Sequence, residues 1–327
     1  MNLANDTAFP ARILCFQRDD QCPVEATLVV KATFEHSDGG RWIPVRDQIP
    51  LVDDLLETPF GTFHGDNFTR KEGVDVAVLG TLRPARPMRA MQIQLSVGKL
   101  INELLVFGDR RWVRAGGRLV PSQPEMFDEI PLGYSRAYGG TTTHDYETIT
   151  WPDNPAGRGY YLSAQGAEGQ PLPNIESVRA PQVREWTDQP QVAGWGPYPC
   201  YWGIRAREGI EPPERIEAGA VARLKPRLNN NAHTLLIVPA LEPEAEIRIR
   251  GLQPTEIVLR LPVLKVRLAV QCGERITSET SAGVDGVFIW ADVGRVTLTS
   301  RTHFAYPYNK GEARSARLMA DPPPTGG

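Results

Sequence analysis

Residues 24–34 alternate in polarity. Val24, Ala26, Leu28, Val30, Ala32 and Phe34 hold the even positions, and Glu25, Thr27, Lys31 and Thr33 hold the odd ones, with Val29 as the exception. A period of two is that of a strand with one face in a core and the other in solvent. Turn residues at 37–40 and the run 41–45 then predict a hairpin. Two more alternating runs follow, one through Val74, Val76, Val78 and Leu82, the other through Met91, Ile93, Leu95 and Val97. The shorter runs 103–107 and 110–114 flank Gly108 and Asp109, which predict a tight turn between them.

The last third repeats this texture. Ile247 and Ile249, then Ile257, Leu259 and Leu261, then Leu264, Val266, Leu268 and Val270 alternate with polar neighbours, and runs at 284–290 and 295–301 complete the set. Short strands broken by turn signals, with no long helical period between them, favour antiparallel sheets packed as a sandwich. The middle, residues 115–239, is different: it is rich in Gly, Pro, Asn, Trp and Tyr and has little periodicity. Ser122 and Glu125 form a capping-box pattern around Pro124, predicting a short helix over 122–130, and a second helix is predicted over 213–223. The expected fold is therefore all-β or β-rich α+β. It comprises one antiparallel, sandwich-like domain over 1–305 (β-rich 1–114, an irregular aromatic-rich insertion 115–239, β-rich 240–305) and a flexible charged and proline-rich tail over 306–327.

Composition narrows the class. Hydrophobic residues make up 41% and charged residues 23%, which is ordinary for a globular chain. A net charge of -3 supplies no overall attraction to nucleic acid or to an anionic membrane. The start lacks a basic leader followed by an apolar run, and no stretch approaches the ~18 apolar residues of a spanning helix. Cys15, Cys22, Cys200 and Cys272 match no zinc spacing. Cys15 and Cys22 could meet across a hairpin, but free thiols in a reducing compartment are the favoured reading, so a cytoplasmic protein is expected.

Catalytic signals are weak. The chain has no GxSxG elbow and no HExxH string. His64 with Asp66 and His144 with Asp145 are close His–carboxylate pairs, and such pairs carry little information because folding usually brings a base and its orienting group together. Gly139–Gly140 and Gly157 with Gly159 lack the setting of a phosphate loop. Arg136 and Arg158 sit beside glycines; either each binds an anion, or each ties down loop carbonyls or a carboxylate such as Asp109 or Asp153, and the second reading is favoured. No cofactor or metal is expected, and the chain is expected not to be an enzyme. The alternative is a β-sandwich hydrolase or carbohydrate-active enzyme, which requires paired carboxylates in a cleft.

Five strings are distinctive in order and spacing. They are Phe107-Gly108-Asp109-Arg110-Arg111-Trp112; Tyr134-Ser135-Arg136-Ala137-Tyr138-Gly139-Gly140; Asn154-Pro155-Ala156-Gly157-Arg158-Gly159; Leu172-Pro173-Asn174-Ile175-Glu176; and Gly194-Trp195-Gly196-Pro197 followed by Trp202. Together with Thr7-Ala8-Phe9-Pro10 and the strand around Lys31, they resemble the family known as domain of unknown function 2169, over nearly the whole chain to about Arg301. The resemblance implies an adaptor or chaperone of type VI secretion. Such a protein binds an effector through a PAAR-like or related N-terminal region and assists its loading onto the VgrG spike. One segment departs from the family pattern: His233-Thr234-Leu235-Leu236-Ile237-Val238 is more apolar, so it is expected to pair differently or to meet a different cargo.

Aromatic and arginine side chains anchor interfaces because they bury much area at low entropy cost. The effector-binding face, or its direct support, is therefore expected around Trp112, Tyr134, Arg136, Tyr138, Arg158, Trp195 and Trp202. The competing reading, favoured for any single ring, is that the rings are core that holds long loops in place.

Overall fold

The computed structural model describes residues 1–17, 22–37, 40–144, 146–179, 183–211, 224–280, 283–306 and 313–320. The expected helix over 213–223 and the last residues of the tail lie outside them. The expectation of a β-rich, mostly antiparallel fold holds.

Three sheets dominate. The largest runs Ile237–Val238, Val74–Leu79, Val284–Trp290, Arg295–Tyr306, Val24–His36, Ala11–Phe16, with Trp42–Pro44 also on Val24–His36; within it only Val74–Leu79 and Val284–Trp290 run parallel. A five-stranded antiparallel sheet runs Ile175–Ser177, Leu100–Phe107, Ala90–Val97, Glu246–Arg250, Ile257–Arg260. A four-stranded sheet runs Asn2–Asn5, Arg314–Ala320, Val266–Cys272, Arg275–Thr280. Strands from the two ends of the chain are neighbours in each: Val24–His36 beside Arg295–Tyr306, Ala90–Val97 beside Glu246–Arg250, and Asn2–Asn5 beside Arg314–Ala320.

The alternation read along the chain becomes one apolar cluster. The even residues 24–34, Val76, Val78, Ile93, Leu95, Val97, Ile247, Ile249, Leu268, Leu318, Val296 and Leu298 all pack into it. Each sheet thus turns one face inward, and burial of that face is the main stabilising term.

The opposite face of the largest sheet departs from the expectation of solvent. Thr27, Lys31 and Thr33 are buried, as are Thr297, Thr299 and Arg301 beside them. Residues 45–71 cover this face and satisfy it. Lys31 Nζ reaches Asp66 Oδ2 at 2.9 Å, Gln48 bonds the backbone of Thr33, and Arg301 donates to Asp285 and to the carbonyls of Asp66 and Phe68. A polar strand face can be buried only when its charges are paired in this way.

Three further expectations are corrected. Residues 122–130 form no helix: Ser122 Oγ accepts the Arg111 N–H at 3.0 Å instead of capping, and Phe127 bridges Met88 and is buried. A capping pattern fails here because tertiary partners claim both its hydroxyl and its apolar residue. Gly108 and Asp109 do not join a hairpin: Leu100–Phe107 pairs with Ala90–Val97, and Trp112–Ala115 pairs with Arg118–Pro121. The tail contains the strand Arg314–Ala320, because Ala316 and Leu318 alternate with Arg317 and find the core beneath Val266–Cys272.

Candidate functional site

The aromatic middle folds inward. Tyr134, Tyr198 and Trp202 meet edge to face, with ring centroids 5.0 to 5.7 Å apart. Trp195 is fully buried; its carbonyl accepts the Val78 N–H at 2.7 Å and its indole N–H donates to Asn102 Oδ1 at 2.9 Å. Trp112 and Tyr138 form a second cluster with Ala167, Leu172 and Val183. Asn154, itself buried, ties the loops by donating to the carbonyls of Tyr134 and Tyr138. Gly139, at φ +142°, is needed there, since a Cβ on it would stand 2.2 Å from the Asn154 carbonyl oxygen.

The reading favoured for each single ring, core that holds long loops in place, is the one their burial matches. Trp112, Tyr134, Tyr138, Trp195 and Trp202 are all buried within the chain, so their area is already spent on holding the loops to the sheets. Arg136 and Arg158 are only partly buried. Arg136 lies 3.7 Å from Asp109 and donates to Asn174, and Arg158 donates to the Ser135 carbonyl at 3.0 Å. Burial and the neighbouring Arg136 guanidinium lower the Arg158 pKa. Both arginines act as loop ties. His64 does not engage Asp66, which is held by Lys31 and the Val52 N–H; its ring packs edge-on against Phe68. The His144 side chain lies outside the described residues.

A groove of about 920 Å³ lies open at the five-stranded sheet. One wall is the hairpin joining Ala90–Val97 to Leu100–Phe107, with Leu100 and Ile101. The other is the segment that carries Leu235, Val238 and Leu241, and Ser177 and Arg179 stand at one end. Ile101 is 50% exposed and Leu235 44% exposed, so apolar surface faces solvent on both walls.

The far wall is anchored by a buried polar knot. Asp75, in the largest sheet, accepts from Lys71 Nζ at 2.9 Å, Asn230 Nδ2 at 2.9 Å and the Asn231 N–H at 2.8 Å. Just beyond, Ile237–Val238 pairs with Val74 and Asp75. Gly73, at φ +68°, allows this close approach: a Cβ there would lie 2.4 Å from the Val238 carbonyl oxygen. His233 Nδ1 accepts the Leu235 N–H, and Thr234 donates to Glu208. The wall thus stands on a rigid element, which is the condition for a preformed binding surface.

The near wall ends in a bare strand flank. Leu100–Phe107 pairs with Ala90–Val97 along its whole length, but on the other side Ile175–Ser177 covers only Leu104, Leu105 and Val106. Pairing stops because the chain turns at 178–179, where Ser177 Oγ accepts the Arg179 N–H at 3.2 Å. Among the described residues no strand lies against the outer flank of 100–103.

The groove is lined mostly by apolar residues and carries two carboxylates. Of its carboxylates, Glu103 is taken by the amides of Gln92 and Gln94 on the outer sheet face. Glu242 is the other. Among the described residues no three His, Cys, Asp or Glu side chains come together as a metal site, and no helix is long and apolar enough to cross a membrane. In sequence, the one signal for this groove is the unusually apolar run 233–238, which supplies Leu235 and Val238 to its wall.

Residues 23–301 match the model of the DUF2169 family, described as an uncharacterized protein conserved in bacteria, and the chain belongs to that family. Neither a curated protein nor a solved structure matches it.

Proposed function

We propose that this DUF2169 protein is a cytoplasmic, non-enzymatic adaptor or chaperone of type VI secretion. Its partner is an effector carrying a PAAR-like or related N-terminal region, which it helps to load onto the VgrG spike. One observation carries the binding role: a groove of about 920 Å³ with exposed apolar residues on both walls, built on rigid strands. Apolar surface held open on a stable scaffold is the mark of a docking site. The secretion context is what the resemblance of the five motif strings to the family implies. The buried rings take the supporting part in this reading, since they brace the loops behind the groove through Trp195 and Asn102.

Co-expression tests the reading. The full chain, unaltered and with Leu235→Asp, is purified together with a PAAR-bearing effector. Leu235 is exposed, so a charge there spares the fold but costs a desolvated contact in a complex, weakening it about tenfold or more. A stable complex lost in the variant is expected. No complex with the unaltered chain, or one that Leu235→Asp leaves intact, overturns the reading.

A further inference from the structure

The groove's flank says what shape of partner it takes. In an antiparallel ladder the backbone groups of successive residues point to alternate sides. The Phe107 N–H donates outward to the Asn174 carbonyl at 2.8 Å, which fixes the parity: odd residues of this strand face away from Ala90–Val97. Leu105 uses this side against Glu176. Ile101 therefore directs its N–H and C=O into the groove, on the lane that Ile175–Ser177 leaves vacant. An unpaired strand edge is a template for another strand. Apolar walls on both sides of that lane give alternate side chains somewhere to go.

The charged lining residues, Lys99 and Arg179 against Glu103 and Glu242, balance, so charge does not select the partner.

We propose that the groove receives an extended, alternating apolar segment of its partner protein as a further strand hydrogen-bonded to the backbone of Ile101. This rests on the reading above that the groove is where the partner binds. It specifies the mode: recognition through main-chain bonds, with side chains seated toward Leu235, Val238 and Leu241.

The probe is a fluorescein-labelled heptapeptide of alternating valine and threonine. Its counterpart carries N-methyl groups on alternate amides. Recognition through the main chain tolerates many sequences, so a generic strand is a fair ligand. Ile101→Pro removes the outward N–H and leaves the ladder to Ala90–Val97 intact, since a proline is accepted at a strand edge whose N–H faces away from its neighbour. Ile101→Ala controls for the lost side chain, and Leu235→Asp blocks the far wall. The expected result is saturable binding by fluorescence anisotropy. It should weaken about tenfold or more with Ile101→Pro, with the N-methylated peptide and with Leu235→Asp, and only about threefold with Ile101→Ala. No binding to the unaltered chain up to about 1 mM overturns strand addition. So does binding that Leu235→Asp abolishes while Ile101→Pro matches Ile101→Ala; in that case the groove is still the docking site and only the strand mode fails. Binding indifferent to both Leu235→Asp and Ile101→Pro places the peptide elsewhere and removes both the mode and the groove. Circular dichroism and a thermal melt on each variant confirm that the fold is unchanged.

Discussion

The Asp75 carboxylate accepts the side-chain amide of Asn230 at 2.9 Å, joining residues 155 positions apart in the chain. Asp75 is fully buried, and its second oxygen takes the ammonium of Lys71, whose side chain is buried too. The two interactions have different weights. Asp75→Ala strands a buried cation and should cost about 3–5 kcal/mol. Asn230→Ala removes a neutral amide that donates to Asp75 and to the Glu72 carbonyl and accepts the Glu72 N–H, and should cost about 2 kcal/mol. Urea unfolding of the two variants checks the order; equal losses would mean that the ion pair carries nothing beyond a hydrogen bond.

Two histidines make stability depend on acid. Burial, with the nearby Lys71 ammonium, lowers the His64 pKa to about 4, and burial, with Arg205, lowers that of His233 to about 4. Both ring nitrogens of His64 and Nε2 of His233 are buried. The unfolded chain titrates near 6.5, so between about 6.5 and 4 it binds more protons than the native state, and stability falls as pH falls through that window. Each histidine contributes about 3 kcal/mol to the fall. Melting temperature measured from pH 7.5 to 4 should drop steeply, and His64→Leu should flatten the slope. A pH-independent melt over that range would show that the native state protonates both rings freely.

Core rings and groove residues should separate cleanly. Trp195→Ala removes a fully buried indole and should cost about 3–5 kcal/mol. Leu235→Asp, on an exposed position, should stay within about 0.5 kcal/mol. Thermal melts of the two, run beside the co-purification assay, distinguish loss of fold from loss of binding.

The Arg110 guanidinium sits 3.8 Å over the Phe107 ring and reaches Glu176 Oε1 at 2.6 Å, while Glu176 Oε2 accepts the Val183 N–H at 3.0 Å. Burial already pushes the Glu176 carboxyl up, and Arg110 opposes the shift. Arg110→Met leaves the carboxylate buried without its cation, at a cost of about 3–5 kcal/mol near neutral pH. Protonation relieves the unpaired charge, so the deficit should shrink as pH is lowered toward 5. Paired denaturation curves at pH 8 and pH 5 check this; a deficit that grows on acidification contradicts it.

Strand alternation was legible because a half-buried strand imposes a period of two on its own residues. The runs at 24–34, 74–78, 91–97, 247–249 and 266–270 all lie within strands whose alternate apolar residues face the core. The loop ties of Arg136 and Arg158 were legible as well, since an arginine among glycines has carbonyls within reach. Local reading failed where the deciding partner is far away in sequence. Lys31 looked solvent-facing until Asp66 covered it, and Ser122 looked like a helix cap until Arg111 took its hydroxyl. The aromatic middle could be read as surface or as core, because composition records the area of a ring and not which side of a loop it occupies. The groove was hidden for the same reason. Its walls come from residues 97–103, 177–179 and 235–245, and its open flank exists only because one strand outruns its neighbour, a relation between strand ends that no single segment encodes.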